Sequence, residues 1–166
     1  MQIGVFFGSF DPPHLGHLRS AQHLVNSGSC DQVWLMPCFS HVWRKKLASP
    51  NHRLAMAKLL ENKNIKVSDL EIKAKKALYT IETLEILKKK YSQHQFSLVI
   101  GEKSLKELPK WKEHQKLIKD YHLLVVPEIP GISSSIIRKR VKRGLSIRDL
   151  VPEKVRRYIE RNKLYK

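Results

Sequence analysis

The stretch IGVFFGSFDPPHLGH, residues 3–17, changes character twice. Its first five residues form a continuous apolar run, which is typical of a strand buried on both faces. The turn-forming residues GSFDPP follow. From Leu15 apolar residues recur at helical spacing until Gly28, which predicts a helix that stops there. The stretch therefore predicts a strand, a tight turn and a helix in immediate succession.

The same alternation continues along the chain. Further strands are predicted over 33–36, 65–70, 96–100 and 123–126. Helices are predicted from Ser49-Pro50 onward with Leu54, Ala55, Lys58 and Leu59 on one face, from an N-cap at Thr80 to Tyr91, and in the last thirty or so residues. Such alternation predicts an α/β fold with a doubly wound parallel five-stranded sheet, order 3-2-1-4-5, helices on both faces and a C-terminal helical segment. We expect residues 1–166 to form one domain.

Composition limits the function classes. The formal net charge is +17, of which residues 138–166 supply +9, and a field of that sign attracts polyanions such as nucleotides. No apolar run has membrane-spanning length, and Met1 leads directly into a strand without the basic start of a signal peptide. Cys30 and Cys38 are expected to be free thiols in a reducing cytoplasm.

The turn after the first strand has the features of an anion site. Gly8 allows a tight turn, so that the N–H groups of Ser9 and Phe10 can face an anion beside the positive end of the next helix. His14 and His17 stand three residues apart, on one face of the first helical turn. Imidazole N–H groups placed there suit an oxyanion whose charge grows during a reaction.

Three other interpretations of the two histidines stay open at this point. A zinc site needs more ligands, and no cysteine or third histidine stands at metal spacing. A nucleophilic histidine would lack an orienting partner. Ordinary histidines at a helix start are the third alternative. Gly16, between the two histidines, leaves room for a flat group such as adenine.

A second candidate anion site is ISSSIIR, residues 132–138. Its serines predict a helix cap, and Arg138 follows one turn into the helix. Hydroxyls, unpaired N–H groups and a guanidinium then converge on one anion-sized position.

Taken together, these motifs resemble those of the H-x-G-H nucleotidyltransferase superfamily. GSFDPPHLGH is similar to its first signature and ISSSIIR to its second, with Ser135 where threonine is usual. Four more segments, ASPNHRLAMAKLL, LYTIETLEILKKKY, VIGEKSLKELPKW and SIRDLVPEKVRRYIERNKLY, resemble those of nicotinate or nicotinamide mononucleotide adenylyltransferases. The resemblance spans almost the whole chain in order.

The resemblance implies a Rossmann-like fold and adenylyl transfer. ATP and nicotinate (or nicotinamide) mononucleotide would give deamido-NAD (or NAD) and pyrophosphate. The ATP phosphates would be contacted by Gly8, Ser9, Phe10, His14 and His17. The departing pyrophosphate would be held by Ser133, Ser134, Ser135 and Arg138. The nucleoside would lie near Gly16 and Gly101. Thr80 and Trp111 would meet the pyridine ring, with Trp111 stacked on it.

Charge neutralisation is the main chemical need, because the attacking phosphate is already ionised at neutral pH and requires no general base. The basic loop HVWRKK, residues 41–46, occupies the region where the family supplies a phosphate-binding lysine, so Lys45 and Lys46 are both candidates, with His41 as a further one and Trp43 as a ring contact. Mg²⁺ is expected to be bound mainly through ATP oxygens, with no dedicated protein metal site.

One departure concerns the acceptor. The family has an acidic residue where this chain has Lys103, and Glu102 stands beside it as a candidate replacement in the mononucleotide site. Alternatives are another acceptor, such as phosphopantetheine or a phospho-alcohol in cytidylyl transfer, or a basic nucleic-acid-binding protein. Binding of nucleic acid, if any, is expected to be non-specific. Self-association into a homo-oligomer is a further possibility that the sequence leaves open.

Overall fold

The computed structural model describes residues 1–40 and 47–166. Within these ranges five strands form one parallel sheet: β1 (Gln2–Gly8), β2 (Gln32–Pro37), β3 (Ile65–Val67), β4 (Gln95–Gly101) and β5 (His122–Val126). Their spatial order is β3-β2-β1-β4-β5. The predicted order is therefore confirmed, and β1, which precedes the GSFDPPHLGH turn, lies at the centre of the sheet.

Helices cover both faces of the sheet, as predicted. In the described part of the chain they are α1 (Leu15–Asn26), α2 (Pro50–Lys58), α3 (Leu70–Ala74), α4 (Thr80–Lys90), α5 (Glu102–Glu107), a 3-10 helix (Leu108–Lys110), α6 (His114–Asp120), α7 (Ser134–Lys142) and α8 (Glu153–Arg161). One core layer joins the sheet to α1, α2, α7 and α8. The other joins it to α4 and α6. No helix in the described ranges is long and apolar enough to cross a bilayer.

Several local predictions were wrong. The third strand ends at Val67 rather than at residue 70, because the N–H of Ser68 makes the last hydrogen bond to β2, at Leu35, and Leu70 begins α3. The N-cap of α4 is Tyr79, whose N–H donates to Glu82, and Thr80 is the first helical residue. The sequence analysis also missed the short helices α3, α5 and α6.

The buried face of α2 also differs from the prediction. Its buried residues are Arg53, Met56 and Ala57, and Leu60, just after the helix, continues the spacing i, i+3, i+4 and i+7. The face expected from Leu54, Ala55, Lys58 and Leu59 is one residue out of phase, and Lys58 is exposed. The phase was wrong because the true inward face includes an arginine. Cys30 and Cys38 are free, as expected.

Candidate active site

The candidate site lies at the carboxyl ends of β1 and β4. These strands are neighbours, so Gly8 and Gly101 end at the same edge of the sheet. This is the edge where doubly wound sheets bind ligands, at the point where the strand order reverses. Residues 8–14, called the phosphate turn below, connect β1 to α1.

The conformational strain in the phosphate turn lies at Phe10. Its φ is 47°, in the left-handed region that residues with a side chain rarely adopt. Its ring is almost fully buried and lies over Gly8, where an added Cβ would come within 3.2 Å of the ring. A side chain at position 8 would therefore require the Phe10 ring to shift by a few tenths of an ångström. The Phe10 side chain is a core group, so only its backbone is available to line a ligand.

His14 and His17 form a stacked pair. Their ring centroids are 3.7 Å apart with 27° between the planes. The backbone N–H of His14 donates to Nδ1 of His17 at 3.2 Å. Because Nδ1 accepts this bond, the proton of the neutral His17 ring must sit on Nε2. His17 therefore presents one fixed N–H donor.

Burial keeps both imidazoles neutral. It lowers the pKa of His14 to about 4, and it lowers the pKa of His17 well below its ordinary value, with a further contribution from His14. At neutral pH the pair is thus a set of N–H donors rather than two cations. Within the described residues, Nδ1 of His14 is buried and has no hydrogen-bond partner.

The space beside Gly16 is taken up by His14. A Cβ at Gly16 would lie 2.8 Å from Nδ1 and 2.9 Å from Cε1 of that ring, closer than real Cβ contacts. The His14 imidazole therefore lies against Gly16, and the expectation that adenine lies on this part of the helix start stays a prediction. Gly16 is required by the stacked pair.

The second motif docks on the phosphate turn. Oγ of Ser134 donates to the Pro12 carbonyl at 2.9 Å, and Nη1 of Arg138 donates to the Asp11 carbonyl at 2.7 Å. Ser133 caps α7 by accepting the N–H of Ile136. The structure thus brings the serine cap and the guanidinium to the turn that carries the histidines, across more than 120 residues of sequence. Ser135, whose Oγ is 3.1 Å from that of Ser133, belongs to the same cap.

Arg53 holds the phosphate turn to the loop that follows β2. Its side chain is fully buried, and it donates to four backbone carbonyls. These acceptors are Ser9 at 2.9 Å, Cys38 at 2.7 Å, Phe39 at 2.6 Å and Ala48 at 3.0 Å. The sequence analysis missed this residue. The available signal was an arginine in phase with the apolar positions of α2.

Asp11 is a second residue that the sequence analysis quoted but gave no role. Its carboxylate is 1% exposed, and Oδ1 accepts the hydroxyl of Tyr165 at 2.7 Å and the N–H of Ala48 at 3.2 Å. Its Oδ2 lies 3.9 Å from Nη1 of Arg138. No short-range pattern in the sequence links Asp11 to residue 165.

A buried carboxyl group lies behind the loop after β2. Glu71 on α3 is 2% exposed and accepts the hydroxyl of Thr83 at 2.8 Å. Burial raises its pKa to about 7, against the opposing effects of the Thr83 bond, a bond from the Phe39 backbone and the Arg53 charge. Glu71 therefore connects the same loop that Arg53 holds to the first turns of α4.

Two of the residues predicted to bind the acceptor, Thr80 and Trp111, lie on facing segments. These segments, 79–83 and 111–112, are called the acceptor side below. Lys112 joins them, because its Nζ is 2.7 Å from Glu82 and 4.6 Å from the centre of the Tyr79 ring. Thr80 is half-buried at the start of α4. Trp111 is half-buried and packs on the core layer beneath α4 and α6.

The remaining predicted residues are less constrained. Glu102 is exposed in the first turn of α5, directly after Gly101, where an added Cβ would meet nothing within 4 Å. Lys45 and Lys46, with His41 and Trp43, lie outside the described residues.

Comparison with known proteins gives consistent matches. The cytidylyltransferase-like family model matches residues 5–140. The chain is 35% identical to a protein named probable nicotinate-nucleotide adenylyltransferase from Flavobacterium johnsoniae, with all of both chains covered. It is 35% identical to a protein of the same name from an Anaeromyxobacter strain, covering 99% of this chain and 97% of the relative.

Solved structures show the same fold. Nicotinic acid mononucleotide adenylyltransferase from Plasmodium falciparum, complexed with NaAD, superposes with a TM-score of 0.81 at 21% identity, covering 99% of this chain and 97% of that one. The same enzyme complexed with APC gives a TM-score of 0.78 at 20% identity, covering 99% and 96% of the two chains.

Proposed function

The chain belongs to the nicotinate-nucleotide adenylyltransferase family within the cytidylyltransferase-like proteins, and we propose how its site carries out the reaction of that family. The enzyme transfers AMP from ATP to nicotinate (or nicotinamide) mononucleotide in NAD biosynthesis, giving deamido-NAD (or NAD) and pyrophosphate. A phosphate oxygen of the mononucleotide bonds to the α-phosphorus of ATP, and the bond from that phosphorus to the bridging oxygen of pyrophosphate breaks. The observation that carries the proposed mechanism is the docking of α7 on the phosphate turn through Arg138 and Ser134.

The two imidazoles donate to the ATP phosphates in this proposal. A neutral ring that is already desolvated and already oriented needs no rearrangement as negative charge shifts toward the leaving group. Nε2–H of His17 is the donor fixed by the bond at Nδ1.

Arg138 and the serine cap hold the departing pyrophosphate in the same proposal. The Arg138 side chain remains 37% exposed although one N–H is bonded to Asp11, so further guanidinium donors are available to a ligand. Ser133, Ser134 and Ser135 place hydroxyls and the start of α7 at the same position. Gly8, Ser9 and Phe10 contribute backbone N–H groups, and the open edge at Gly101 receives the nucleoside.

Lys45 and Lys46 are proposed as additional phosphate ligands. Both lysines come shortly before Ala48 in the sequence, and the N–H of Ala48 is bonded to Asp11 in the phosphate turn. Their positive charge and this nearness in sequence support a contact with the phosphates.

Mg²⁺ is proposed to enter with ATP. Magnesium is usually bound through one or two carboxylates and substrate phosphates, so the ATP oxygens would be its main ligands. When bound, the ion would neutralise phosphate charge.

The acceptor is proposed to bind between Thr80 and Trp111, with nicotinate rather than nicotinamide as its ring, following the names of the relatives. Glu102 is proposed to meet the mononucleotide from the open edge beside Gly101. Non-specific binding of nucleic acid and self-association remain predictions from charge and sequence.

A pyrophosphate-release assay tests the assignment. ATP would be supplied with nicotinate mononucleotide, nicotinamide mononucleotide or phosphopantetheine as separate acceptors. We expect turnover with nicotinate mononucleotide to exceed that with the other two, and the product to be deamido-NAD by mass. Turnover with phosphopantetheine alone would replace the proposed acceptor, and turnover with none of them would contradict adenylyl transfer by this site.

A further inference from the structure

We propose that Asp11 and Tyr165 are positioning residues that set where the Arg138 guanidinium sits, and thereby how tightly the site holds pyrophosphate. The inference rests on the proposed function, because it assigns these two residues to the leaving-group half of that site. Neither residue needs to touch a substrate.

Asp11 is the point at which four segments meet. Its backbone carbonyl accepts from Arg138 on α7, and its Oδ1 accepts from Ala48 and from Tyr165. It stands in the phosphate turn, three residues before His14. A shift of Asp11 therefore moves the guanidinium and the turn together.

The carboxylate of Asp11 is only partly satisfied. Oδ1 has two donors, whereas Oδ2 is buried without a hydrogen-bond partner among the described residues and lies 3.9 Å from Nη1 of Arg138. A buried ionised carboxylate attracts the nearest cation strongly. The two donors on Oδ1 oppose this attraction by holding the carboxylate in place, which leaves the guanidinium bonded to the carbonyl and partly exposed.

Tyr165 supplies the stronger of those two restraints. Its hydroxyl bond to Oδ1 is 2.7 Å long, against 3.2 Å for the Ala48 N–H. Burial and the neighbouring Asp11 carboxylate raise the pKa of Tyr165, so its hydroxyl remains a donor at any working pH. Without this hydroxyl, the carboxylate is free to turn Oδ2 toward Arg138 and to compete with pyrophosphate for it.

Tyr158 offers a matched control in the same C-terminal region. Its hydroxyl is 2.9 Å from Nδ1 of His52, so it joins α8 to α2 through one hydrogen bond, and among the described residues it makes no hydrogen bond to the phosphate turn. Both tyrosines are half-buried. Tyr158→Phe and Tyr165→Phe therefore each delete one buried hydroxyl bond, and only the second deletes a bond to Asp11.

The experiment compares the two variants in three measurements. Inorganic pyrophosphate is titrated into each protein by calorimetry, kcat and KM are measured for ATP and for nicotinate mononucleotide, and the melting temperature is recorded. We expect Tyr165→Phe to weaken pyrophosphate binding and to lower kcat by about 10-fold each, with the KM for nicotinate mononucleotide unchanged. Tyr158→Phe is expected to keep all kinetic and binding constants within about twofold of the parent, with a similar loss of melting temperature.

Two results would overturn the inference. One is equal pyrophosphate affinity in Tyr165→Phe and the parent. The other is a loss of affinity in Tyr158→Phe as large as that in Tyr165→Phe, which would mean that both hydroxyls act through general stability. Failure of the parent protein to use nicotinate mononucleotide would contradict the proposed function instead, and the pyrophosphate titration would still measure the effect of Tyr165.

Discussion

The phosphate turn and the acceptor side are built by different kinds of contact. Around the phosphate turn, the side chains of Arg53 and Asp11 are fully or almost fully buried, and both are hydrogen-bonded to distant parts of the chain. On the acceptor side, Lys112 and Glu82 pair across the surface with more than a third of each side chain exposed. Both regions lie at one end of the same sheet, but only the phosphate turn is held in place by buried contacts.

This difference fits the two tasks that we propose for these regions. Stabilising a phosphoryl transition state requires donors that stay in place while charge moves, because reorganisation would cost part of the benefit. Binding an acceptor requires contact but tolerates adjustment. We therefore expect substitutions at the phosphate turn to change rate or stability strongly, and substitutions at the acceptor side to change KM modestly.

His17→Ala should give the largest effect. It removes the Nε2–H donor and the acceptor that fixes the His14 N–H, so we expect kcat to fall about 100- to 1,000-fold. His23→Ala, an exposed histidine in the last turn of the same helix, is the control and should leave kcat unchanged. Steady-state kinetics of both variants, with circular dichroism to confirm the fold, makes the comparison. Full activity in His17→Ala would remove the imidazole pair from the mechanism.

Arg53→Met should give the next largest effect, and on stability first. The substitution leaves four half-buried carbonyl groups without their donors, so we expect a loss of about 3 kcal/mol or more in the free energy of unfolding. Arg53→Lys keeps the charge but lacks the planar guanidinium. Its free energy of unfolding should lie between those of Arg53→Met and the parent. Urea denaturation measures all three. A urea midpoint for Arg53→Met equal to that of the parent would mean that the hydrogen bonds from Arg53 to the loop after β2 do not stabilise the folded state.

Sequence patterns were sufficient for the sheet and for the two motifs, and the reason is local. Strand runs, helix periods and the serine cap are properties of neighbouring residues, and the alternation of strands and helices indicates a doubly wound sheet, for which 3-2-1-4-5 is one of the common strand orders. The contacts that lock the phosphate turn are long-range. Tyr165 is 154 residues from Asp11, and Arg53 is 44 from Ser9. The role of Gly16 also depended on the orientation of one ring, which no spacing rule supplies.

Glu71→Gln should give a smaller effect that depends on pH. The folded state holds the Glu71 proton up to a pKa of about 7, whereas the ordinary value is 4.5. Stability of the parent is therefore lost as pH rises from 4.5 to 7, and a glutamine removes that loss. The advantage of Glu71→Gln over the parent should grow across this window to at most about 3 kcal/mol and stay level above it.

His14 makes the single-protein profile hard to interpret, because it acts in the opposite direction. Its folded pKa of about 4 lies below the ordinary 6.5, so stability falls as pH drops from 6.5 to 4. The difference between Glu71→Gln and the parent cancels this contribution. Denaturation midpoints at pH 5, 6, 7 and 8 give that difference, and a value independent of pH would show that Glu71 titrates normally.

Lys112→Ala should give the smallest effect and sharpens the contrast. The ion pair with Glu82 is solvent-exposed, so we expect a melting temperature within about 2 °C of the parent and a kcat within about twofold. The KM for nicotinate mononucleotide should rise by less than about threefold. A collapse of kcat in this variant, measured at saturating ATP, would mean that the acceptor side is as rigidly coupled to the chemistry as the phosphate turn.

The contact between Gly16 and His14 explains why the glycine in H-x-G-H belongs to the motif. A methyl group at position 16 would sit inside contact distance of the His14 ring, and moving that ring would separate the stacked pair. The two histidines and the glycine of the signature thus form one arrangement, which requires a hydrogen atom where any other residue has a Cβ. If the two histidines were introduced into another protein without this glycine, the imidazole donors would lack the space that aligns them.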